Sequence, residues 1–181
     1  MIQNCRRCEL CRMRHSIVLG EGNRNAEIML IGEGPGADED AQGRPFVGKA
    51  GQLLDKMFSA IDMRREELYI TNVVKCRPPG NRTPLEEEAH ACLPLLRMQY
   101  CLIRPKIVVC LGATATRYVY DREARITRVR GTWLEKGGTW FMPTYHPAAL
   151  LRDESKKPDV WSDLQAIASK YAEIKSNVKQ E

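Results

Sequence analysis

The sequence predicts a three-layer αβα protein of the α/β class, with a central, mainly parallel sheet of four strands covered by helices on both faces. Short apolar runs rich in β-branched residues occur at 26–31, 68–74 and 107–111, with 140–144 as a fourth. Between the first two, apolar residues return at a helical spacing (Leu53, Leu54, Met57, Phe58 and Ile61). Strands alternating with helices imply parallel βαβ units. A chain of 181 residues, 43% of them hydrophobic, buries one sizeable core, so a single domain over 1–181 is expected.

In chain order, residues 5–15 read as a cysteine-bearing turn or short helix and 20–25 as a polar loop. The first strand, 26–31, runs into the glycine-rich turn GEGPG at 32–36, and a helix follows Gly48. Residues 62–67 return the chain to a second strand, 68–74, which enters the loop KCRPPGNR at 75–82. The next helix starts at Thr83-Pro84-Leu85-Glu86, where Thr83 is placed to cap, Pro84 suits the first helical position and Glu86 completes a capping box. Pro94 should kink or split that helix beyond Cys92. The third strand, 107–111, leads through Gly112 into a short helix ending at Tyr120. Alternation over 126–140 around Lys136-Gly137-Gly138 predicts a hairpin into the last inner strand, 140–144. From Asp159 a final helix carries Trp161, Leu164, Ile167, Ala168, Tyr171 and Ile174 on one face, and the charged tail after Asn177 should fray.

A formal charge of +5 and a pI near 8.9 permit nucleic-acid binding without requiring it. Basic residues gather near the start, where Arg6, Arg7, Arg12, Arg14 and Arg24 oppose only Glu9 and Glu21. No apolar run is long enough to cross a bilayer, and MIQNCRRCEL lacks the apolar core of a signal peptide, so a soluble cytoplasmic protein is expected. In that setting seven cysteines argue against a disulfide framework and for metal or redox chemistry. Cys5, Cys8 and Cys11 recur every three residues, and Cys76 and Cys92 follow later, whereas Cys101 and Cys110 sit in apolar surroundings and read as core residues. On spacing alone, four thiolates suit zinc or a [4Fe–4S] cluster equally.

Chemistry-bearing residues fall at strand ends. Glu33 follows the first strand, Asn72 lies late in the second, Gly112 follows the third and His146 the fourth, so the carboxyl edge of a parallel sheet would bring them together. Around GEGPG stand Glu33, Asp38, Glu39, Asp40 and the lone aromatic Phe46, a set that suits a flat, polar ligand. A tight turn with a solvated acidic edge accounts for the same residues. Phosphate cradles fit poorly, because the P-loop lysine and hydroxyl are missing and four acids repel a phosphate.

The stretch GEGPGADEDAQGRPFVGKAG resembles the first motif of the family-four uracil-DNA glycosylases, GE(G/A)PG, an acidic stretch, then GxPFVGxAG. HPAALLR at 146–152 resembles their second motif, HPxxLL. With TNVVKCRPP at 71–79 and the cysteines, the resemblance spans residues 5–152. It implies a uracil-DNA glycosylase fold and hydrolysis of the N-glycosidic bond of uracil in DNA, leaving an abasic site and initiating base excision repair. It also implies a [4Fe–4S] cluster on Cys5, Cys8, Cys76 and Cys92, with Cys11 spare.

By the same resemblance, uracil flips into a pocket formed by Glu33, Gly34, Phe46, Asn72 and His146. Phe46 would stack on the ring, Asn72 would read O4 and N3–H, and His146 would stabilise the departing anion at O2, aided by backbone N–H groups of the turn 34–37. Glu33 and Glu39 contend for the carboxylate that stabilises the sugar cation and positions water, because Gly34 stands where the family-one motif GQDPY has its aspartate. The tyrosine that excludes thymine in that motif is replaced by Gly36. Lys75, Arg77, Arg82 and Arg152 are the expected phosphate contacts, with Leu150 or Leu151 wedged into the vacated stack or simply packed in the core. A related branch traps the abasic sugar with a histidine in an inserted basic loop. Here 76–92 is short and its only histidine, His90, lies on a helix, so ordinary turnover is expected. The implied partner is uracil-containing DNA, single- or double-stranded, bound by a monomer, with repair or replication proteins as further partners. The alternatives are a non-catalytic nucleic-acid binder stabilised by zinc or an iron–sulfur cluster, and a cluster-bearing electron carrier.

Overall fold

The computed structural model describes residues 4–178. Six strands form one sheet: β1 (Glu21–Gly22), β2 (Ile28–Gly32), β3 (Tyr69–Asn72), β4 (Ile107–Leu111), β5 (Leu134–Lys136) and β6 (Thr139–Thr144), in the order β1-β3-β2-β4-β6-β5. The inner four are parallel, as the sequence predicts, and an antiparallel strand closes each edge. The helices are α1 (Ala37–Gln42), α2 (Lys49–Ser59), α3 (Glu86–Ile103), α4 (Ala113–Ala115), α5 (Ile126–Val129), α6 (Pro147–Arg152) and α7 (Lys157–Val178). No helix among the described residues is long and apolar enough to cross a membrane.

Alternate residues of the inner strands feed two cores, because successive strand side chains point to opposite faces. Ile28, Leu30, Ile70, Ile107 and Val109 pack with Leu54 and Phe58 of α2, Leu150 of α6, and Leu164 and Ile167 of α7. Met29, Ile31, Val108 and Cys110 pack on the opposite face with Ala89, Cys92, Leu95 and Leu96 of α3 and with Leu10. The three layers follow from that division.

The departures from the sequence reading have local causes. The expected polar loop at 20–25 contains β1, which pairs with β3 where Gly22 takes φ +127° and lies so close to the Leu68 carbonyl that a Cβ would collide. The hairpin forms with both Gly137 and Gly138 at positive φ, but its predicted first arm is shortened, since 126–129 turn as α5. Helices α1 and α6 were not anticipated, each being only six residues long. The cap of α3 is Leu85 rather than Thr83. Its N–H donates to Glu88 Oε2 at 2.8 Å, so Glu88 rather than Glu86 supplies the carboxylate half of a capping box, and Leu85 has no side chain to complete it; Glu88 is buried there and also takes Arg82. Nor does Pro94 split α3. It deletes a single backbone donor, and packing of the residues on either side carries the helix through. Cys101 is exposed on α3, against the expectation of a core residue, while Cys110 is fully buried in β4. Part of the tail expected to fray, 179–181, lies outside the described residues.

Candidate active site and cysteine cleft

Register sets the site. Gly32 pairs with Asn72 across β2 and β3, Leu111 pairs with Thr144 across β4 and β6, and Gly112 N–H donates to Thr144 O at 2.9 Å. The chain leaves β2 for β3 on one side and returns to β4 on the other, so the loops after β2 and β4 diverge and open a crevice. A cavity of about 680 Å³ lies there, lined by Glu33, Gly34, Phe46, Asn72, Gly112 and His146 among others. Two glycines make the room. A Cβ on Gly32 would run into both the Asn72 amide and the Phe46 ring, and one on Gly112, at φ +89°, into His146 Cβ.

Asn72 is 1% exposed, and its Oδ1 is buried without a hydrogen-bond partner among the described residues. An unmet buried acceptor costs about 1–3 kcal/mol, so it marks a place where a ligand's donor belongs. Phe46 stands at φ +51°, a conformation rare for an aromatic residue, with its ring 5.5 Å from the His146 ring at an interplanar angle of 30°. His146 caps α6: its Nδ1 accepts from Ala148 N–H at 3.1 Å, which leaves the proton of the neutral ring on Nε2. Burial, and after it the positive charge of Arg152, pushes the His146 pKa down to about 4 against the pull of Glu39. The ring is therefore a neutral N–H donor at physiological pH.

The four acids divide by their partners. Glu33 Oε2 accepts from Thr114 Oγ1, tying the β2 loop to the β4 loop, and Glu33 Oε1 has no hydrogen bond among the described residues. Glu39 accepts from the backbone N–H groups of Gly36 (3.0 Å), Val47 (2.9 Å) and Gly48 (2.9 Å), and its Oε2 occupies the space that a side chain at Gly36 would need. Asp40 is buried away from the cavity. Burial alone would raise its pKa, but donors from His15 and Ser16 outweigh that and hold it below the usual range. Asp38 is exposed.

The model of the uracil DNA glycosylase superfamily matches residues 19–165. Three type-4 uracil-DNA glycosylases are similar over most of their length. That of Thermotoga maritima is 48% identical over 86% of this chain and 82% of its own. Those of Sulfurisphaera tokodaii and Archaeoglobus fulgidus are 44% and 43% identical, over 91% and 92% of this chain and 79% and 87% of theirs. The chain belongs to the type-4 uracil-DNA glycosylases.

Within this type-4 glycosylase, the residues expected on the DNA face are placed unequally. Lys75 is not on a surface at all. It is 1% exposed, its Nζ donates to Asn72 O at 2.5 Å and Thr71 Oγ1 at 2.7 Å, and burial pulls its pKa down to about 7. That corrects its expected role as a phosphate contact. Arg82 lines the cavity, but its guanidinium is forked onto Glu88 at 2.7 and 2.8 Å. Arg77 holds Asn81 Oδ1 at 2.7 Å, and Arg152 stands exposed at the cavity wall, joined by Lys156, which sequence reasoning missed. Leu150 is 3% exposed in the core and Leu151 is 52% exposed, which removes Leu150 as a wedge. Thr114 was also missed, and a threonine one residue beyond the Gly112-Ala113 turn gives no signal of its own.

Cys5, Cys8, Cys76 and Cys92 line one cleft with Cys11, drawn together from the N-terminal segment, the loop after β3 and α3. Cys101 and Cys110 stand apart from it. Burial pushes the Cys76 thiol up to about 11 and raises Cys8 and Cys92, while Arg14 Nη1 donates to Cys76 Sγ at 3.2 Å. Among the described residues no three His, Cys, Asp or Glu side chains are clustered as a ready ion site. The soft sulfur set, with Arg14 and Lys75 beside it to balance negative charge, fits an iron–sulfur cluster in its chemistry.

Proposed function

We propose that this chain excises uracil from DNA by hydrolysing its N-glycosidic bond, the first step of base excision repair. The observation that carries this is the orphaned Oδ1 of Asn72 in a cavity walled by a stacking ring and a neutral histidine donor. A flipped uracil meets that set atom by atom: Asn72 Oδ1 accepts from N3–H, its amide N–H donates to O4, and the Phe46 ring stacks. As the C1′–N1 bond breaks, its electron pair leaves with uracil and the negative charge reaches O2. His146 Nε2–H and the N–H groups of the turn 34–37 are the donors for that charge, and they act without gaining or losing a proton. Water adds its oxygen to C1′ and gives up a proton as uracil takes one. Of the two contending carboxylates, Glu33 has an oxygen open to the cavity for the sugar cation or the water, whereas Glu39 is engaged by three backbone donors. Glu39 takes the place that the family-one tyrosine would need at Gly36, which makes its rigid carboxylate the barrier to a 5-methyl group.

Arg152, Lys156 and Arg77 are the candidates for phosphates, and Leu151 for the gap in the stack. Cys5, Cys8, Cys76 and Cys92 would hold a [4Fe–4S] cluster, and when bound it would staple together the three chain segments that carry them. Because one chain makes the whole cavity, a monomer suffices for single- or double-stranded DNA. Incubation with a uracil-containing oligonucleotide followed by hot alkali tests the proposal. Cleavage at the uracil position is expected, and an intact strand after stoichiometric incubation contradicts it.

A further inference from the structure

The stacking ring is held from behind by an arginine that touches neither the cavity nor the base. Arg65, in the short turn before β3, uses its whole guanidinium fork. Nη2 donates to Pro45 O at 2.6 Å and Nη1 to Phe46 O at 3.1 Å, so the two carbonyls that flank the Phe46 Cα are both grasped. The remaining donors anchor the fork to the scaffold: Nε and Nη2 to Glu21 Oε1 at 3.1 and 2.8 Å, and Nη1 to Asp55 Oδ1 at 2.8 Å. Its side chain is 17% exposed, against 26% for Glu21 and 43% for Asp55. The Phe46 carbonyl also lies so close to Gly51 of α2 that any Cβ there would collide with it.

Phe46 needs such a clamp because φ +51° is unfavourable for an aromatic residue, and such a conformation persists only where surrounding contacts over-determine it. If it relaxed to negative φ, the ring would swing off Gly32 and out of register with His146 and Asn72. We infer that Arg65 is the positioning residue for base stacking, holding the Phe46 ring in the plane that uracil needs. The inference rests on the proposed reading of the cavity as a uracil site. It also gives β1 a function: the two-residue edge strand delivers Glu21, which holds Arg65 and, through Nε at 2.8 Å, Arg44. Lysine at 65 would keep one positive charge near Glu21 and Asp55 but has no planar fork to grasp two carbonyls at once.

The test is a double-mutant cycle on binding of free uracil to the full chain, followed by ligand-observed NMR, with excision of a uracil oligonucleotide by wild type measured in parallel. Arg65→Lys should weaken uracil binding about tenfold, a loss of about 1.4 kcal/mol. In the Phe46→Ala background the same substitution should change binding by less than about twofold, because nothing remains to position. Asp55→Asn, which leaves both carbonyl bonds, should lower thermal stability without the tenfold loss. If Arg65→Lys does not fold, Arg65→Gln is read through the same cycle. Additive effects of Arg65→Lys and Phe46→Ala, or unchanged uracil binding in a folded Arg65 variant, overturn the inference while wild-type excision stands. A wild type that neither excises nor binds uracil removes the reading of the cavity and this inference with it.

Discussion

At the scale of single residues, His146 and the paired leucines give the sharpest expectations. Burial and Arg152 lower the His146 pKa from about 6.5 to about 4, so its neutral donor form persists through the ordinary working range. Excision should be flat from pH 8 to about 5 and fall as pH approaches 4, read as a single-turnover pH profile. The unfolded chain takes up this proton near pH 6.5. The stability that comes from keeping the ring neutral is therefore complete above that value, and it is lost as pH falls from 6.5 through 4. Leu150→Ala should destabilise the fold by about 2–5 kcal/mol in denaturant titration. Leu151→Ala should leave stability within about 0.5 kcal/mol and reduce excision from duplexes more than from single strands. Equal losses on both substrates would remove Leu151 as a wedge. Adjacent leucines could not be told apart from sequence, because which of them faces the core is decided by α6, whose six residues are too few for a helical repeat to show. Lys75 was misread for the opposite reason: lysine is ordinarily a surface residue, and only the tertiary fold shows the buried acceptors it serves.

At the scale of elements, β2 and β4 were legible because each is a short apolar run buried on both faces, the pattern a parallel sheet demands, while β3 and β6 showed through their β-branched and aromatic residues despite polar threonines and Asn72. The placement of Glu33, Asn72, Gly112 and His146 together at their carboxyl ends was legible with them. By contrast β1 is polar, two residues long and made possible by a glycine contact, so no pattern announces it. The start of α3 shows how local signals compete. Thr83-Pro84 carries the residue types that capping favours, yet the helix begins after Leu85, which has no capping side chain, because Glu88 takes the Leu85 N–H and also closes on Arg82. Glu88→Ala should accordingly cost about 1–2 kcal/mol, while Glu86→Ala, which breaks only exposed ion pairs, should stay within about 1 kcal/mol. Thermal melts of the two variants distinguish the caps. A larger loss for Glu86→Ala would restore Thr83 as the start of the helix.

For the whole molecule, the sheet gathers two separate chemistries near the end of β3, a cavity of about 680 Å³ that includes Asn72 and a cysteine cleft that includes Cys76 and Cys92 of α3. Cys76→Ala should abolish iron retention in purified protein and destabilise the fold, since it removes a thiol from the segment that follows Asn72, whereas Cys101→Ala should keep its iron. An unchanged iron content in the Cys76 variant would take that residue out of the ligand set. The account as a whole turns on Asn72 reading the base. Asn72→Asp keeps the shape but replaces the amide donor with a second acceptor, so O4 of uracil would face a negative oxygen in a buried site. An unmet buried polar contact costs about 1–3 kcal/mol and a charged one more, which sets the expected fall at about ten- to hundredfold or greater. Single-turnover excision from matched uracil oligonucleotides by wild type and Asn72→Asp is the direct measurement. A loss of that size is the result this account predicts, and uracil excision retained to within about twofold would contradict the placement of base recognition at the end of β3.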